Sequence, residues 1–341
     1  MEGASGKGIA AASERSARMP VVAIVGPTAV GKTAASILLA ERLGAEIVSV
    51  DSRQVYRYLD VGADKISPEI RRRILHHMID VADPDQVFSA ADFVSGCLET
   101  VERIRNRGRI PLFVGGTPFY FEALFGRMLS EDLPRDEPLR RELERIAEEQ
   151  GAGALHAMLR EADPESAVRL HENDVRRVVR ALEICRLTGE SVSGAYGKRR
   201  KMASPGKFDI LYIGLSRERR LLFEGIERRV REQFASGFVE EVEWLLSNGF
   251  DERFPSMQGF GYKDILAYLR GKCTLEEAAE LDMRQTKAFS RRQMTWFGKF
   301  SPIVWYDTGD CPIDKIVGDI EKEVENHLGK GSFVDGAEKA D

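Results

Sequence analysis

The sequence is poor in the features that mark secreted, membrane-bound or zinc-binding proteins. Only four cysteines occur among 341 residues, and Cys97, Cys185, Cys273 and Cys311 lie far apart, with no Cys-x-x-Cys spacing. No disulfide framework or zinc site is readable, and scattered thiols are typical of the reducing cytosol. No apolar run approaches the roughly 20 residues that span a bilayer. We therefore expect a cytoplasmic protein that does not enter a membrane.

An excess of positive charge is also absent. Lys and Arg number 50 against 55 Asp and Glu, which gives a formal net charge of −5. A basic coat for nucleic acid over the whole surface is therefore excluded. A local basic surface is not excluded, because binding depends on where the charges lie rather than on their sum. Hydrophobic residues make up 43% of the chain, which is enough for a large core.

The two ends of the chain have little apolar character. Residues 1–19 are rich in Gly, Ala and Ser and lack the apolar segment of a secretory signal. We expect a disordered N-terminal extension there. An organelle transit peptide is the alternative, although Glu2 and Glu14 count against it. The tail 329–341 is small and polar, and we expect it to be disordered too.

Short apolar runs that alternate with helical patterns predict a parallel sheet. Residues 21–25, 46–50 and 110–114 are such runs, rich in Val and Ile, as expected of strands buried on both faces. Strand character returns at 208–215 and again at 303–306. Helical patterns separate these runs, so the strands are expected to be parallel with helices on both faces of the sheet.

One stretch of the chain has no convincing strand. From 137 to about 194 the charged residues follow helical patterns, which predicts a mostly helical inserted domain. The predicted fold class is therefore α/β: a P-loop NTPase-like core with a parallel doubly wound sheet, and a mostly helical insertion. The predicted boundaries are 20–130 and 206–328 for the core and 131–205 for the insertion.

A phosphate-binding motif follows the first predicted strand. Its residues fit G-x-x-x-x-G-K-[ST] in full, and they are Gly26, Pro27, Thr28, Ala29, Val30, Gly31, Lys32 and Thr33. We call them the P-loop. The motif lies between a predicted strand and a predicted helix, which is the context it needs. Glycines let the loop wrap around phosphate, and the helix N-terminus supplies free N–H groups. We expect Lys32 to balance phosphate charge and Thr33 to bind Mg²⁺.

The acid that a nucleotide hydrolase usually carries after a later strand is missing. The strand at 110–114 is followed by Gly115, Gly116 and Thr117 instead. Asp51, by contrast, follows the strand at 46–50, beside the P-loop, where open parallel sheets bind ligands. Its carboxylate could bind Mg²⁺ or act as a general base, with a helix-capping Asp as the alternative.

A run of arginines predicts a helix that contacts RNA. Arg176 and Arg180 are spaced i, i+4 with Arg169 two turns earlier, and a basic cluster follows at 198–201. Such charges bind phosphates without reading sequence, and a solvated helix face is the alternative. A second basic helix, 284–299, also carries aromatic residues, which are more often part of a core than a platform for bases.

Taken in order, these segments resemble the tRNA dimethylallyltransferase family, also known as isopentenylpyrophosphate transferases. The segments that carry the resemblance are 26–33, 50–56, 60–62, 76–80, 88–93, 108–117, 171–174, 258–263 and 292–296. The resemblance covers about residues 21–310. It implies transfer of a dimethylallyl group from dimethylallyl diphosphate to N6 of adenosine at tRNA position 37, beside the anticodon, with release of diphosphate. It also implies a need for Mg²⁺ and contact with the anticodon stem-loop. We expect the protein to be a monomer.

The resemblance implies roles for particular residues. Asp51 matches the general base, and Thr117 and Arg229 match a pair that lines the reaction channel, with Arg229 facing the departing diphosphate. The P-loop matches the diphosphate site, and Thr33 with Asp51 the metal site. The residues that match tRNA contacts are Asp51, Ser52, Arg53, Gln54, Arg140, Arg176, Arg177, Val178, Val179, Arg180, Gln258, Gly259, Phe260, Gly261, Tyr262 and Lys263. The chain departs from the family pattern at Gly225, where an arginine is usual.

Three other functions stay open from the residues alone. A small-molecule kinase would share the P-loop, but the long insertion and the missing acid count against it. A transferase that modifies free AMP would share the reaction, but the arginine run favours tRNA. A passive binding module would have no use for a complete P-loop beside Asp51 and Thr117.

Overall fold

The computed structural model describes residues 18–126, 133–196, 207–309 and 311–329. The chain divides into two compact units, one of residues 1–125 and 207–341 and the other of residues 126–206. The basic cluster predicted at 198–201 lies outside the described residues, as do most of the predicted extension and tail.

Within the described residues, the first unit contains one six-stranded parallel sheet. Its strands are β1 (Met19–Val25), β2 (Ala45–Val50), β3 (His76–His77), β4 (Ile110–Gly115), β5 (Phe208–Ser216) and β6 (Ile303–Asp307), in the order β3-β2-β4-β1-β5-β6. The predicted parallel α/β fold is confirmed. Met19 was placed in the extension, but it belongs to β1 because it pairs with Phe208. Strand β3 is not readable from the sequence, since two residues are too few to show a period.

The helices of the described residues follow in chain order. They are α1 (Lys32–Leu43), α2 (Pro68–Arg73), α3 (Ala90–Asn106), α4 (Pro118–Phe125), α5 (Glu137–Gln150), α6 (Ala152–Ala162), α7 (Pro164–Arg169), α8 (Val175–Thr188), α9 (Arg219–Ala235), α10 (Phe238–Ser247), α11 (Tyr262–Leu269), α12 (Leu275–Phe297) and α13 (Ile313–Leu328). Helical residues also run from 192 to 196, and Pro255–Gln258 is a 3₁₀ turn. Across the described ranges, none of these helices has the length and apolar character to cross a bilayer.

One face of the sheet packs against α1 and α13. Val22 and Ile24 of β1 lie in the same buried cluster as Leu39 of α1 and Val317 and Ile320 of α13. Each of these side chains is fully buried, and burial of one such side chain contributes about 1.5–3 kcal/mol. This cluster fixes α1, and with it the end of the P-loop from which α1 begins.

A second hydrophobic cluster holds the chain after β2 against α10 and α11. Val55 and Leu59 pack there with Phe238 and Val242 of α10 and with Tyr262 of α11. All are buried. The irregular segment that follows Asp51 is therefore held by tertiary packing, because it has no regular structure of its own.

The strand register brings the P-loop, Asp51 and Thr117 to one edge of the sheet. Gly115 of β4 is level with Val25 of β1 on one side and with Val50 of β2 on the other. A Cβ on Gly115 would lie 2.1 Å from the Val50 carbonyl oxygen, so this close approach needs glycine. The residues that follow these strands therefore meet at their carboxyl ends, where ligands of such sheets bind.

The second unit has its own core. Leu143, Leu155, Leu159, Val178 and Leu182 are fully or almost fully buried between α5, α6 and α8. No strand occurs among the residues of this unit that the structure describes.

Candidate active site

The P-loop closes around the side chain of Lys32. Gly26 and Gly31 have φ angles of 152° and 101°, and Ala29 has 61°, which are backbone conformations of the kind that form concave anion sites. The Lys32 Nζ donates to the carbonyl oxygens of Gly26 at 3.0 Å and Pro27 at 2.7 Å. This arrangement is a cradle for an anion, with the amine held at its rim.

The pKa of the Lys32 amine is lowered from 10.5 to about 8. Burial is the largest cause and the neighbouring charge of Arg229 is the second, while Asp51 and Asp64 act in the opposite direction. A bound phosphate would favour the charged form in the same way as these carboxylates do. Lys32 is therefore ready to bind an anion and to take up a proton with it.

Arg229 of α9 reaches across to the P-loop. Its Nη1 donates to Oγ1 of Thr28 at 2.8 Å and lies 3.0 Å from Oδ2 of Asp64. One guanidinium group thus joins the P-loop to the segment after β2. The other donors of this fork-shaped cation are available to a second anion, such as a phosphate.

Gln293 of α12 joins the P-loop to the turn after β4. Its Oε1 accepts the N–H of Thr28 at 3.0 Å, and its Nε2 donates to the carbonyl oxygen of Gly116. The residue is only 3% exposed. A Cβ on Gly116 would lie 2.5 Å from that Nε2 and 3.6 Å from the Lys32 Nζ, so the turn is packed tightly against the lysine.

Asp51 caps a turn at the end of β2. Its Oδ1 accepts the N–H of Arg53 at 2.7 Å and the N–H of Gln54 at 3.3 Å. Beside it, the N–H of Ser52 donates to Oγ1 of Thr117 at 3.2 Å. Asp51 therefore caps a turn rather than a helix, and its hydrogen bonds to the described residues use Oδ1. Oδ2 remains for a proton or a metal ion.

The residues after Asp51 tie it to the segment 258–263. Arg53 Nη1 donates to the carbonyl oxygens of Pro255 and Ser256 at 3.0 and 2.9 Å. Its guanidinium lies so close to Gly259 that a Cβ there would be 2.8 Å from Cζ. Burial lowers the pKa of Arg53. The hydrogen bonds of Arg53 thus fix the 3₁₀ turn that leads into this segment.

Two aromatic rings and two cations lie at the end of the segment 258–263. Phe260 and Phe289 contact each other edge to face, with 5.7 Å between ring centroids. Lys263 Nζ lies 5.5 Å from the Phe260 ring centre, and Arg292 Cζ lies 5.8 Å from that of Phe289. Aromatic faces beside cations suit a nucleobase and its phosphate.

One cavity of about 310 Å³ in the first unit is lined by Lys32, Asp51, Arg229, Phe260 and Gln293 among others, whereas Lys263 and Arg292 are not part of its lining. The predicted site residues that it brings together are Thr28, Lys32, Thr33, Asp51, Ser52, Arg53, Gln54, Thr117, Arg229, Phe260 and Tyr262. Tyr262 is 1% exposed, and its hydroxyl donates a hydrogen bond to Oε1 of Glu241 at 2.7 Å. Gln258 is exposed and donates to the Glu252 carbonyl oxygen.

Among the cavity residues that sequence reasoning did not predict, three carry polar groups that bear on the chemistry of the site: Asp64, Asp282 and Gln293. Asp282 of α12 is 4% exposed and accepts a hydrogen bond from Thr286 at 3.1 Å. Burial raises its pKa from 3.8 to about 6. Gln293 lies in the segment 292–296 that carries the family resemblance, but without a role of its own, and no motif marks Asp64 or Asp282.

The arginines predicted to contact tRNA differ in their surroundings within the second unit. Arg140 makes two hydrogen bonds of 2.9 Å with Glu183, which Arg180 also contacts. The Glu183 side chain is completely buried. Arg176 and Arg177 are exposed on the same helix, α8. The two valines between Arg177 and Arg180 lie in the core of the unit, so their side chains are not at the surface.

Gly225, the departure from the family pattern, lies on α9 against the P-loop. A Cβ at this position would be 3.6 Å from the carbonyl oxygen of Ala29, which is ordinary contact distance. A larger side chain is therefore not excluded by the backbone, and Arg229 one turn later is the cation that α9 directs at Thr28.

Comparison with protein families matches residues 54–300 to the family described as IPP transferase. The chain is 42% identical over 310 residues to a tRNA dimethylallyltransferase of Carboxydothermus hydrogenoformans, which covers 90% of this chain and 99% of that protein. It is 43% identical over 309 residues to the enzyme of the same name from Moorella thermoacetica, which covers 89% and 94%.

Solved structures give the same picture. The full-length tRNA isopentenylpyrophosphate transferase of Bacillus halodurans has 39% sequence identity and a TM-score of 0.68, covering 91% of this chain and 97% of its own. A eukaryotic dimethylallyltransferase acting on tRNA has 28% identity and a TM-score of 0.76, covering 92% and 82%.

Proposed function

This chain belongs to the IPP transferase family, and on that basis we propose that it transfers a dimethylallyl group from dimethylallyl diphosphate to an adenosine of tRNA. The similar proteins named above bear that activity in their names and match most of the chain. The observation that carries the proposal is the single cavity lined by P-loop residues, Asp51, Thr117 and Arg229. A phosphate cradle, an arginine and a carboxylate are the groups that this reaction needs.

The acceptor in this proposal is N6 of adenosine 37 in the anticodon stem-loop. A base must leave its stack to enter the cavity, which costs a few kcal/mol and less in a loop than in a duplex. Phe260 and Phe289, flanked by Lys263 and Arg292, support this assignment as surroundings for unstacked nucleotides. We further propose that the protein acts as a monomer in the cytoplasm.

We also propose that Mg²⁺ binds with the donor, held by the Thr33 hydroxyl and the Asp51 carboxylate. Both are hard oxygen donors that line the cavity. Among the described residues, no cluster of three or more His, Cys, Asp or Glu is suited to a metal. The donor set therefore fits an ion held mainly by substrate phosphates with one or two protein ligands, as is usual for Mg²⁺. When bound, the ion would neutralise charge on the diphosphate.

In the proposed reaction, N6 of the adenosine attacks C1 of the dimethylallyl group. The bond between C1 and the diphosphate oxygen breaks, and its electron pair leaves with the diphosphate. Lys32, the P-loop N–H groups and Arg229 stabilise that developing charge. Asp51 accepts the proton that N6 loses, a contribution of about 10²- to 10⁴-fold for general bases. Thr117, bonded to the N–H of Ser52, keeps the turn after Asp51 in place.

The experiment is an incubation with Mg²⁺, radiolabelled dimethylallyl diphosphate and three separate acceptors: unmodified tRNA, AMP and ATP. Label in tRNA, mapped to the adenosine beside the anticodon, would establish the proposal. Label in AMP alone would assign the protein to free nucleotides. No transfer, together with ATP hydrolysis or phosphorylation of a small molecule, would mean that the P-loop serves a kinase.

A further inference from the structure

The carboxylate of Glu241, on α10, gathers four hydrogen-bond donors. Its Oε2 accepts the N–H of Asp60 at 2.7 Å and that of Val61 at 2.6 Å. Its Oε1 accepts the N–H of Gly62 at 3.2 Å and the hydroxyl of Tyr262 at 2.7 Å. Hydrogen bonds to a charged acceptor are about twice as strong as neutral ones. Glu241 thus fixes three successive backbone N–H groups to α10 and to the start of α11.

The same segment is held from its other side. Gln233 of α9 donates to the carbonyl oxygens of Val61 and Gly62 at 2.9 and 3.2 Å. A Cβ on Gly62 would lie 2.2 Å from the ring of Phe238, so only glycine fits there. The N–H of Asp64 then donates to the Val61 carbonyl oxygen at 3.1 Å. Asp64 is therefore placed by the segment before it.

Asp64 connects this segment to the phosphate site. Its carboxylate lies 3.0 Å from Nη1 of Arg229, and that nitrogen donates to Oγ1 of Thr28 at 2.8 Å. The carbonyl oxygen of Asp64 also accepts a hydrogen bond from Gln54 at 3.2 Å. A shift of the segment would move Asp64, and with it the guanidinium that faces the P-loop.

We infer that Glu241 is a positioning residue of the transfer reaction: it fixes the segment 60–64 so that Asp64 holds the Arg229 guanidinium beside Thr28. The inference rests on the proposed function, in which Arg229 meets the departing diphosphate. Glu241 is not among the residues that line the cavity. Its effect therefore passes through Arg229 rather than through contact with substrate.

The test compares Glu241→Gln with Glu240→Gln, which removes a neighbouring exposed carboxylate on the same helix. A glutamine keeps the size of the side chain, but its NH₂ group would face N–H donors, so at least one of them loses its acceptor. We expect Glu241→Gln to weaken the binding of inorganic diphosphate with Mg²⁺ about tenfold, by calorimetry. Turnover should fall about 10- to 100-fold. Glu240→Gln should match the unsubstituted protein in both.

A double-mutant cycle separates positioning from general damage. In an Arg229→Ala background, Glu241→Gln should change diphosphate binding and turnover by less than about twofold, because the group that it positions is gone. A full additional loss in that background would overturn the inference. If Glu241→Gln does not fold, Asp64→Asn weakens the later contact of the same chain, the ion pair between Asp64 and Arg229, at a half-exposed side chain. The same cycle with Arg229→Ala then applies. Tighter diphosphate binding by Asp64→Asn would also overturn it.

The measurement of diphosphate binding does not depend on the transfer reaction. If the unsubstituted protein binds diphosphate, and Glu241 and Arg229 prove non-additive, the positioning role stands even where no acceptor is prenylated. That outcome would reject the proposed function alone. If the protein transfers label to tRNA but the losses caused by the Glu241 and Arg229 substitutions are additive, the proposed function stands and the positioning role of Glu241 is rejected.

Discussion

The side-chain oxygen of Gln293 accepts a hydrogen bond from the backbone N–H of Thr28 at 3.0 Å, and 265 residues separate the two in sequence. The amide of the same side chain donates to the carbonyl oxygen of Gly116. One buried amide on α12 therefore joins the P-loop, where the diphosphate is proposed to bind, to the turn that carries Thr117. Its acceptor and donor are both used, and each has one partner.

Replacement of Gln293 by Glu should impair donor binding. The carboxylate can still accept from Thr28, but it cannot donate to Gly116 and adds a negative charge beside the phosphate site. We expect affinity for inorganic diphosphate to fall by tenfold or more, measured by calorimetry. Gln293→Met is the matched variant, since it removes both hydrogen bonds without adding charge. Equal losses in the two variants would show that charge at this position does not matter.

Asp51→Asn should separate the role of Asp51 as a general base from its role in holding the turn after β2. Asparagine keeps the Oδ1 that accepts from Arg53 and Gln54, so the turn should persist, but its amide cannot take a proton. We expect turnover to fall by about 10²- to 10⁴-fold with tRNA affinity nearly unchanged, from single-turnover kinetics and filter binding. Asp51→Ala, which also loses the turn, should be less stable. Parallel losses of binding and turnover in Asp51→Asn would contradict the role as base.

The local sequence was sufficient to predict the positions of the site residues that directly follow strands. The P-loop and Asp51 come directly after β1 and β2, so the parallel order of the strands was enough to predict that they meet. Helix α2 could also have been found, because Ser67 followed by Pro68 is a helix start signal. Arg229 and Thr28 are different, since 201 residues separate them. The resemblance assigned both residues to the diphosphate site, whereas nothing in the local pattern points to a contact between them.

Buried partners were the least predictable part of the site. Arg140 was expected to contact tRNA, but nothing local shows that Glu183 takes two of its hydrogen bonds. Asp64 likewise looks like any exposed acid until the loop around Glu241 brings it to Arg229. Such pairs form only once helices from distant parts of the chain have packed. The local sequence pattern therefore cannot predict them.

Diphosphate binding should depend on pH through Lys32. Burial lowers its pKa to about 8, and a bound anion favours the charged amine, so above this pH the amine must take up a proton on binding. We expect affinity to weaken as pH rises through about 8. Calorimetry in two buffers of different ionisation enthalpy should detect uptake of up to about one proton. In Lys32→Arg the side chain stays charged over this range, so the remaining pH dependence of affinity comes from the ionisation of diphosphate itself. An identical profile in both proteins would contradict the assignment.

Asp282→Asn should stabilise the fold above pH 6. Burial raises the pKa of Asp282 from 3.8 to about 6, so between these values the folded chain binds more protons than the unfolded one. This raised pKa means that stability falls as pH rises through this window and stays lowered above it. The full shift corresponds to about 3 kcal/mol, and asparagine avoids this cost. Denaturant unfolding should show a gain of about 1–3 kcal/mol at pH 8 and little at pH 4. An equal gain at both values would contradict the burial effect.

Arg176 and Arg140 should behave differently when each is replaced by Ala. Arg176 is exposed on α8, and no ion pair is recorded for it among the described residues, so its loss should leave unfolding unchanged. If it contacts a tRNA phosphate, affinity should fall at low salt, and the slope of log K against log salt should decrease by about one.

Arg140, in contrast, satisfies a carboxylate that is completely buried, with two hydrogen bonds of 2.9 Å to Glu183. Its replacement should cost about 1.5–3 kcal/mol of unfolding free energy, because only Arg180 and the N–H of Asp136 would remain as partners of Glu183. Arg140→Ala combined with Glu183→Gln should recover part of that loss, since the buried side chain that has lost two donors is then neutral. A stable Arg140→Ala that loses tRNA binding with an altered salt slope would mean that Arg140 contacts phosphate directly. An unstable one whose salt slope is unchanged would assign it to the core of its unit, and Arg176 would then be the arginine of this pair that binds tRNA.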